Sequence, residues 1–569
     1  MFSKFAFALL TRSFLGICCL LGPSYSAAQQ VPSAIRGTVI NSVTREPVPR
    51  ALVELYANIA VLTDDEGRFE FRLQQPDTLS GQLTIRKPGF ADTSYAYSHT
   101  PDAPNPDLIV PLLPESLIVG HVNLPTSNQS DRISVTLYQR MVNQGRVQWM
   151  NASSTQARSN GDFRFANLPP GTYKLFTEEL ADRDPLVFDP EGQHYGYPPV
   201  YFPNAQDFAS AAPIQLEAGQ TFHAELSPVL RPYFPVKIPI TNMPSAAYPE
   251  LSVAVQGHPG PGFALGFDGN AILGELPSGA YTVEAIFNNG NPQQSGTGSV
   301  QLTVNSSPGT ATMTITPHST IAVHVKTEFS ERALSNTSSS SYSNARGESF
   351  TRSEPARIFL QPADEFLTTQ IISLRPPRRN NDNELAFEGV PPGRYWVNVQ
   401  PSYGYVASIT SGGLDLLHDT VPAGEGGIDP IEIVLRDDAA GVEGTVDGMP
   451  ASFETTSASN SSRTYSTSIE KRHTSITIGG NSSGAWLYAI PSPERSGALP
   501  TGVVSPDGTF GFSNLAPGTY RILAFDHQQD HLDYRNPDAM RAFEDKGPIV
   551  HLAPNQTEHI HLTLIHTTD

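Results

Sequence analysis

Fifteen histidines and fifty-six acidic side chains in 569 residues are ample raw material for a metal site or for acid–base catalysis. Their spacing is what decides. A zinc peptidase centre needs His and Glu three residues apart plus a distant third ligand, with one position left open. No His in the chain has Glu at its third following position. His527-Gln528-Gln529-Asp530-His531 comes nearest, in an inverted zincin order with Asp where Glu is usual. It follows an apolar strand, Tyr520–Phe525, and opens a polar connection, so it reads as a solvated loop. His559-Ile560-His561 puts two imidazoles on one face of a strand, a pattern that reads as exposed strand positions. A P-loop and a Rossmann fingerprint are missing. The Asp-Gly pairs lack the full alternating acidic loop of a calcium site and read as tight turns. The sequence therefore assigns no catalytic residue, no metal ligand and no cofactor.

Binding chemistry has one candidate. The run His194-Tyr195-Gly196-Tyr197-Pro198-Pro199-Val200-Tyr201-Phe202 concentrates rings that pair a flat apolar face with a polar tip. Tyr195, Tyr197, Tyr201 and Phe202 are the candidate ligand-binding residues, with a sugar ring as the fitting ligand. The competing reading is that these rings anchor a connection onto a domain face. Trp149, Trp396 and Trp486 are the three tryptophans, and Trp396 projects outward if it follows its neighbouring Tyr in alternation.

The elements that would carry such residues are written repeatedly. Residues 160–175 read NGDFRFANLPPGTYKL, 268–283 DGNAILGELPSGAYTV, 382–397 DNELAFEGVPPGRYWV and 507–522 DGTFGFSNLAPGTYRI. With Gly161, Gly269, Asn383 and Gly508 as origin, apolar residues stand at +2 and +4: Phe163 and Phe165, Ala271 and Leu273, Leu385 and Phe387, Phe510 and Phe512. Another stands at +7: Leu168, Leu276, Val390 and Leu515. Gly171, Gly279, Gly393 and Gly518 stand at +10, and Tyr173, Tyr281, Tyr395 and Tyr520 at +12. Alternation at +2 and +4 faces one side of a strand, and the Pro-rich step and Gly turn the chain. The Tyr then begins a returning strand, its ring in the core and its hydroxyl free to bond backbone. Each unit is expected to be a β-hairpin. A partial copy, Thr63–Phe71, keeps the turn and the pair Phe69 and Phe71 but has Asp77 and Leu79 where Gly and Tyr belong. There Phe69, Phe71 and Leu73 alternate with Arg68, Glu70 and Arg72.

Residues 35–90 add Ile35-Arg36-Gly37-Thr38-Val39, Glu46-Pro47-Val48-Pro49-Arg50-Ala51-Leu52-Val53-Glu54-Leu55 and Lys87-Pro88-Gly89-Phe90 around that turn. This stretch resembles the carboxypeptidase regulatory-like domain, a transthyretin-like β-sandwich of about seven strands. The resemblance implies the accessory fold only, because the peptidase ligands are missing. Strand candidates equivalent to 35–39 are Val119-Gly120-His121-Val122 and Val442-Glu443-Gly444-Thr445-Val446. The copies also resemble collagen-adhesin B-type domains, which crosslink Lys to Asn and place a Glu four residues after this Tyr. Here Thr177, Ala285, Val399 and Ala524 stand there, so no such crosslink is expected.

Composition agrees with an all-β reading. Charged residues are 16%, against about 25% in typical soluble proteins, and Gly and Pro total 95. Many turns and few charges disfavour long helices. A net charge of −20 repels phosphate backbones and argues against nucleic acid as a partner. The first 28 residues read as a secretory signal ending at Ser26-Ala27-Ala28, and both cysteines, Cys18 and Cys19, lie inside it. No membrane span is expected after its removal, and the mature chain would be free of disulfides. The expected layout is a signal at 1–28 and a tandem array of about five Ig-like or transthyretin-like sandwiches at 31–114, 115–231, 232–317, 318–437 and 438–569. Ser-rich loops fall at 334–346 and 455–484. The functional expectation is a non-catalytic, exported scaffold or adhesion protein in the periplasm, on the cell surface or outside the cell. Its candidate partners are a polysaccharide or another envelope protein. The alternatives are a carbohydrate-binding protein, and an accessory of an outer-membrane uptake or hydrolase system.

Overall fold

A computed structural model describes residues 34–56, 59–72, 79–99, 107–124, 133–181, 193–244, 248–288, 294–305, 309–330, 340–343, 349–352, 355–366, 378–379, 385–424, 428–448, 485–505, 507–529 and 532–566. The secretory signal, the 455–484 stretch and Asp530-His531 lie outside them. The chain is built of tandem β-sandwiches, with a short helix at Pro537–Met540 and a 3-10 turn at Arg541–Phe543.

The second sandwich shows the wiring. In one sheet Ser116–Val122 lies between Asp162–Leu168, antiparallel, and Thr221–Leu226, parallel. In the facing sheet the order is Arg146–Gln156, Ser134–Asn143, Gly171–Thr177, Ile214–Leu216, antiparallel throughout. Ile118, Val135, Leu137, Phe163, Phe165, Leu175 and Ile214 fill the space between. The same plan recurs. Ala34–Asn41 sits between antiparallel Arg68–Arg72 and parallel Leu108–Leu112. Ser319–Glu328 sits between Leu385–Val390 and Ile431–Arg436. Ala440–Asp447 sits between Thr509–Leu515 and Thr557–Thr563. In the third unit Arg231–Thr241 pairs with antiparallel Ala271–Pro277 and with two short parallel pieces, Gly309–Thr310 and Met313–Thr314. Each unit has its own buried apolar cluster.

The repeated motif is not a hairpin. Asp162–Leu168 pairs with Ser116–Val122, whereas Gly171–Thr177 pairs with Ser134–Asn143 in the opposite sheet. The other three copies divide in the same way. The chain crosses between layers because the step between the strands cannot extend a ladder. Pro169 and Pro170 bring no N–H, and Gly171 takes φ +155°. The Tyr closes the crossing. Tyr173 Oη donates to Pro169 O at 2.7 Å, Tyr281 to Pro277 O at 2.8 Å, Tyr395 to Pro391 O at 2.9 Å and Tyr520 to Ala516 O at 2.8 Å.

The odd step from +4 to +7 has a local answer. Period-two alternation would turn the +7 side chain to solvent. The register shifts between Phe165 and Leu168, and comparable irregularities fall beside Val390 and Leu515, so all three +7 side chains are buried. The third copy has no shift, and alternation back from Leu276 buries Ile272 instead of Leu273. The expected core position Leu273 is only half-buried there. In the partial copy Phe69 and Phe71 are buried while Arg68, Glu70 and Arg72 are exposed, and Leu73 lies outside the described residues.

One boundary also differs from the sequence reading. Leu180–Ala181 and His194–Tyr197, within 115–231, extend the third sandwich's sheet through Arg231–Thr241. The aromatic connection thus passes from one unit to the next before the second is complete.

Central strands need glycine where a bulky +2 ring lies across them. A Cβ on Gly37 would stand 2.6 Å from Leu108 O and 2.7 Å from Phe69 Cζ. On Gly120 it would meet Ala224 O and Phe163, and on Gly444 Ile560 O. Gly444→Ala is expected to destabilise the fifth sandwich by about 1–3 kcal/mol or more, because the obstacle is backbone. Calorimetry of the full chain should show one transition lowered and the others in place. Tyr173→Phe should cost about 1 kcal/mol, the net value of the lost hydrogen bond, read as faster amide exchange confined to 162–177.

Candidate binding surfaces and the seams between sandwiches

The carboxylates that could have served chemistry are used in turns and cross-strand pairs. Asp64 Oδ1 accepts from Glu66 N and Arg68 N at 3.1 and 2.7 Å. Asp268 Oδ1 accepts from Asn270 N and Ala271 N, both at 2.8 Å, and those backbone bonds hold its carboxyl below the usual range. Asp507 Oδ1 accepts from Thr509 Oγ1 at 2.6 Å and Thr509 N at 3.0 Å, with the same effect, the hydroxyl bond leading. Asp162 faces His121 Nδ1 at 2.9 Å on neighbouring strands. His527 and His566 both reach Asp526, at 2.7 and 2.8 Å. His561 bonds Thr445 Oγ1 at 2.7 Å, and His559 lies 4.0 Å from Glu443 on the exposed face. Among the described residues no three His, Cys, Asp or Glu side chains gather in a group able to hold a metal ion.

The aromatic run corrects the sequence expectation. Tyr195 is 55% exposed, but Tyr197 is 8% and Tyr201 3% exposed. Tyr201 stacks on Phe176 at 5.2 Å and donates its hydroxyl to Pro261 O of the third sandwich. Phe202 is half-buried, packs edge-on to Phe222 at 5.7 Å and joins the second core. Of the four proposed platform rings two are therefore buried, one is half-buried and only Tyr195 is exposed. His194–Tyr197 runs as a strand along the third sheet, with Tyr195 exposed and Gly196 and Tyr197 buried.

These rings instead belong to an interior seam. Trp149, Phe176, Tyr201 and Phe208 are buried together, with Tyr138 and Phe366 against them. Lys174 lies within it, its Nζ donating to Phe208 O at 2.7 Å and Ala209 O at 3.2 Å. The same ammonium sits 4.7 Å from the Phe208 ring and 5.1 Å from Trp149. Burial lowers its pKa, with Glu365 and Asp207 opposing. Nothing in the sequence flagged Lys174, since a Lys beside a corner Tyr reads as a solvated strand position. The Trp149–Phe366 contact joins residues far apart in sequence, where no local pattern can signal it. Trp396, expected to project outward, is half-buried under Arg146.

Further contacts cross the joints. His258 faces Asp207 at 3.3 Å and Ala264 N donates to Glu179 Oε2 at 3.3 Å between sandwiches two and three. Ser496 bonds Leu417 O and Leu416 O at 2.6 and 3.0 Å between four and five. His318, at the joint of three and four, lies 2.8 Å from Thr297 Oγ1. Burial pushes its pKa down to about 4, a backbone bond at Gly389 opposing.

No family model and no curated protein matches the chain. Solved structures resemble it weakly. The Bacillus anthracis TIE protein shares 11% identity at TM-score 0.15, over 50% of this chain and 51% of that one, so the chain spans about half that protein's length. A streptococcal ancillary pilin shares 10% at TM-score 0.17, over 50% of this chain and 99% of that one. Two B repeat units of the Staphylococcus aureus collagen-binding protein share 9% at TM-score 0.12, over 79% and 99%. Scores this low carry no functional argument. No described helix is long and apolar enough to cross a membrane.

Two measurements test these assignments. Tyr195→Ala should leave thermal stability within about 0.5 kcal/mol, whereas Tyr201→Ala should cost about 3–5 kcal/mol in calorimetry of the full chain. His318 is neutral in the fold and has a depressed pKa. Its contribution is therefore complete above about pH 6.5 and falls as pH drops toward 4, where the unfolded imidazole gains a proton and the folded one does not. His318→Gln should flatten that pH dependence in the calorimetric transition of sandwiches three and four.

Proposed function

We propose that the protein is an exported, non-catalytic adhesion scaffold. The observation that carries this reading is where the polar side chains go. Many of the described histidines and carboxylates are engaged in turns, strand pairs and seams, and each sandwich seals its own apolar interior. What remains for a partner is outer sheet faces, loop tips and strand edges, held rigid by the layers beneath. Residues 1–28 support export, and the absence of cysteine beyond them suits cores that hold by burial alone. The motif residues of 35–90 support a carboxypeptidase regulatory-like first sandwich, used as a spacer and not as part of a peptidase. The partner on this reading is an envelope polysaccharide or a surface protein, met over several sandwiches.

Attachment assays test it. Beads coated with the purified chain should bind whole cells or isolated envelope, with no dependence on chelator and no turnover of peptide or glycoside substrates. Chelator-sensitive hydrolysis, or no binding to any envelope fraction, would overturn the reading.

A further inference from the structure

Sandwich two carries a hairpin that reaches well past its own core. Its strands, Ser134–Asn143 and Arg146–Gln156, are 10 and 11 residues long and meet in a two-residue turn. Gln144 and Gly145 both take positive φ, 51° and 70°, as such a turn requires. Beyond the core the hairpin touches two other sandwiches. Arg140 Nη2 pairs with Asp533 Oδ2 at 2.7 Å across 393 residues, and the Asp533 side chain is only 10% exposed. Gln144 O accepts from Arg535 Nε at 2.7 Å. Arg535 is itself 6% exposed and also donates to Arg495 O at 2.6 Å. A Cβ on Gly145 would come within 2.7 Å of the Tyr534 ring, so the turn is seated directly on the fifth sandwich. On the fourth, Arg146 Cζ lies 3.3 Å from the centre of the Trp396 ring, and Trp149 N donates to Glu365 O at 2.8 Å.

We infer that this hairpin is a clasp that folds the array back on itself, docking the second sandwich on the fourth and fifth, and that it releases as a single unit to give an extended form. The chemistry of the contact supports release. Ion pairs, hydrogen bonds to carbonyls and one cation–π contact dominate around the tip, with an apolar contact of Tyr138 to Phe366 at 5.4 Å further down the hairpin, and polar interfaces between domains open more readily than apolar ones. Burial lowers the Arg146 pKa to about 10, with the Arg535 charge adding to the shift and Glu494 opposing it. Glu494 lies 3.4 Å from Arg535, and Asp533 pairs with Arg140. Release would free the outward face of Trp396 and the edge strand Arg146–Gln156, which has a neighbour on one side only. The inference is independent of what the protein binds.

Charge exchange tests it in the full chain. Arg140→Asp sets two carboxylates against each other, and Arg140→Asp with Asp533→Arg restores an opposite pair. Small-angle scattering should show the radius of gyration rising by roughly a fifth in the single variant and returning in the double. Hydrogen exchange should speed up in 140–150 and 532–536 together in the single variant and recover in the double, with the cores unchanged. Gly145→Asn keeps a residue that tolerates positive φ but adds a side chain against Tyr534, and it should open the array in the same way. Single variants that scatter and exchange like the parent would overturn the clasp. So would an opening that the charge exchange does not reverse in a chain whose near-ultraviolet circular dichroism is intact.

Discussion

A chain that leaves one sheet for the facing one must pass the edge of an apolar interior with carbonyls that no ladder can satisfy. Backbone polar groups left unpaired in such a place cost about 1–3 kcal/mol each. Four sandwiches meet this cost with one device. A tyrosine two residues past the crossing buries its ring between the layers and donates its hydroxyl to the carbonyl four residues back. Ring burial and hydrogen bond act at the same point, so the crossing is fixed as the core forms. The rest of each sandwich follows. The strand before the crossing lies beside the first strand, the strand after it lies in the opposite layer, and the last strand closes parallel to the first.

The first sandwich lacks this tyrosine and shows what else can hold the plan. Its central strand still runs between antiparallel and parallel neighbours, and Gly37 still makes room for Phe69. The ring laid over glycine is thus shared by units with and without the corner, and it fixes the approach of the first sheet's strands. The tyrosine adds the crossing.

What could be read in the residues was local. Phe163 and Phe165, or Phe510 and Phe512, announce an inward face by simple alternation, and Val119–Val122 and Val442–Val446 fall in the central strands. The crossing itself was not legible, because a Pro-rich step with Gly suits a hairpin and a change of layer equally well. Only pairing partners distant in sequence separate the two. The +7 residue held a clue, since an odd offset after +2 and +4 cannot face the same way without a bulge. Leu273 was misplaced for the converse reason: without a bulge the inward face there falls on Ile272. The aromatic run failed as a platform because exposure is set by what packs on top: Phe176 and Phe222 from distant positions of the same sandwich, and Pro261 from the third.

That last point bears on how the array works. A rod of beads joined by short linkers needs contacts only between successive units. Here Trp149 and Phe366 belong to the second and fourth, and Arg140 and Asp533 to the second and fifth. Lys174 is buried where the second sandwich meets these neighbours, its ammonium held by two carbonyls and two ring faces. A buried cation is tolerated only where its donors are satisfied, and here the carbonyls and rings that satisfy it belong to the second sandwich, with the Glu365 charge of the fourth adding to them. Apolar rings alone would let the units slide. The bonds that do cross, Trp149 N to Glu365 O and Arg140 to Asp533, give the seam its register, and while the clasp is closed the seam can present loops of separate sandwiches to one partner at fixed spacing.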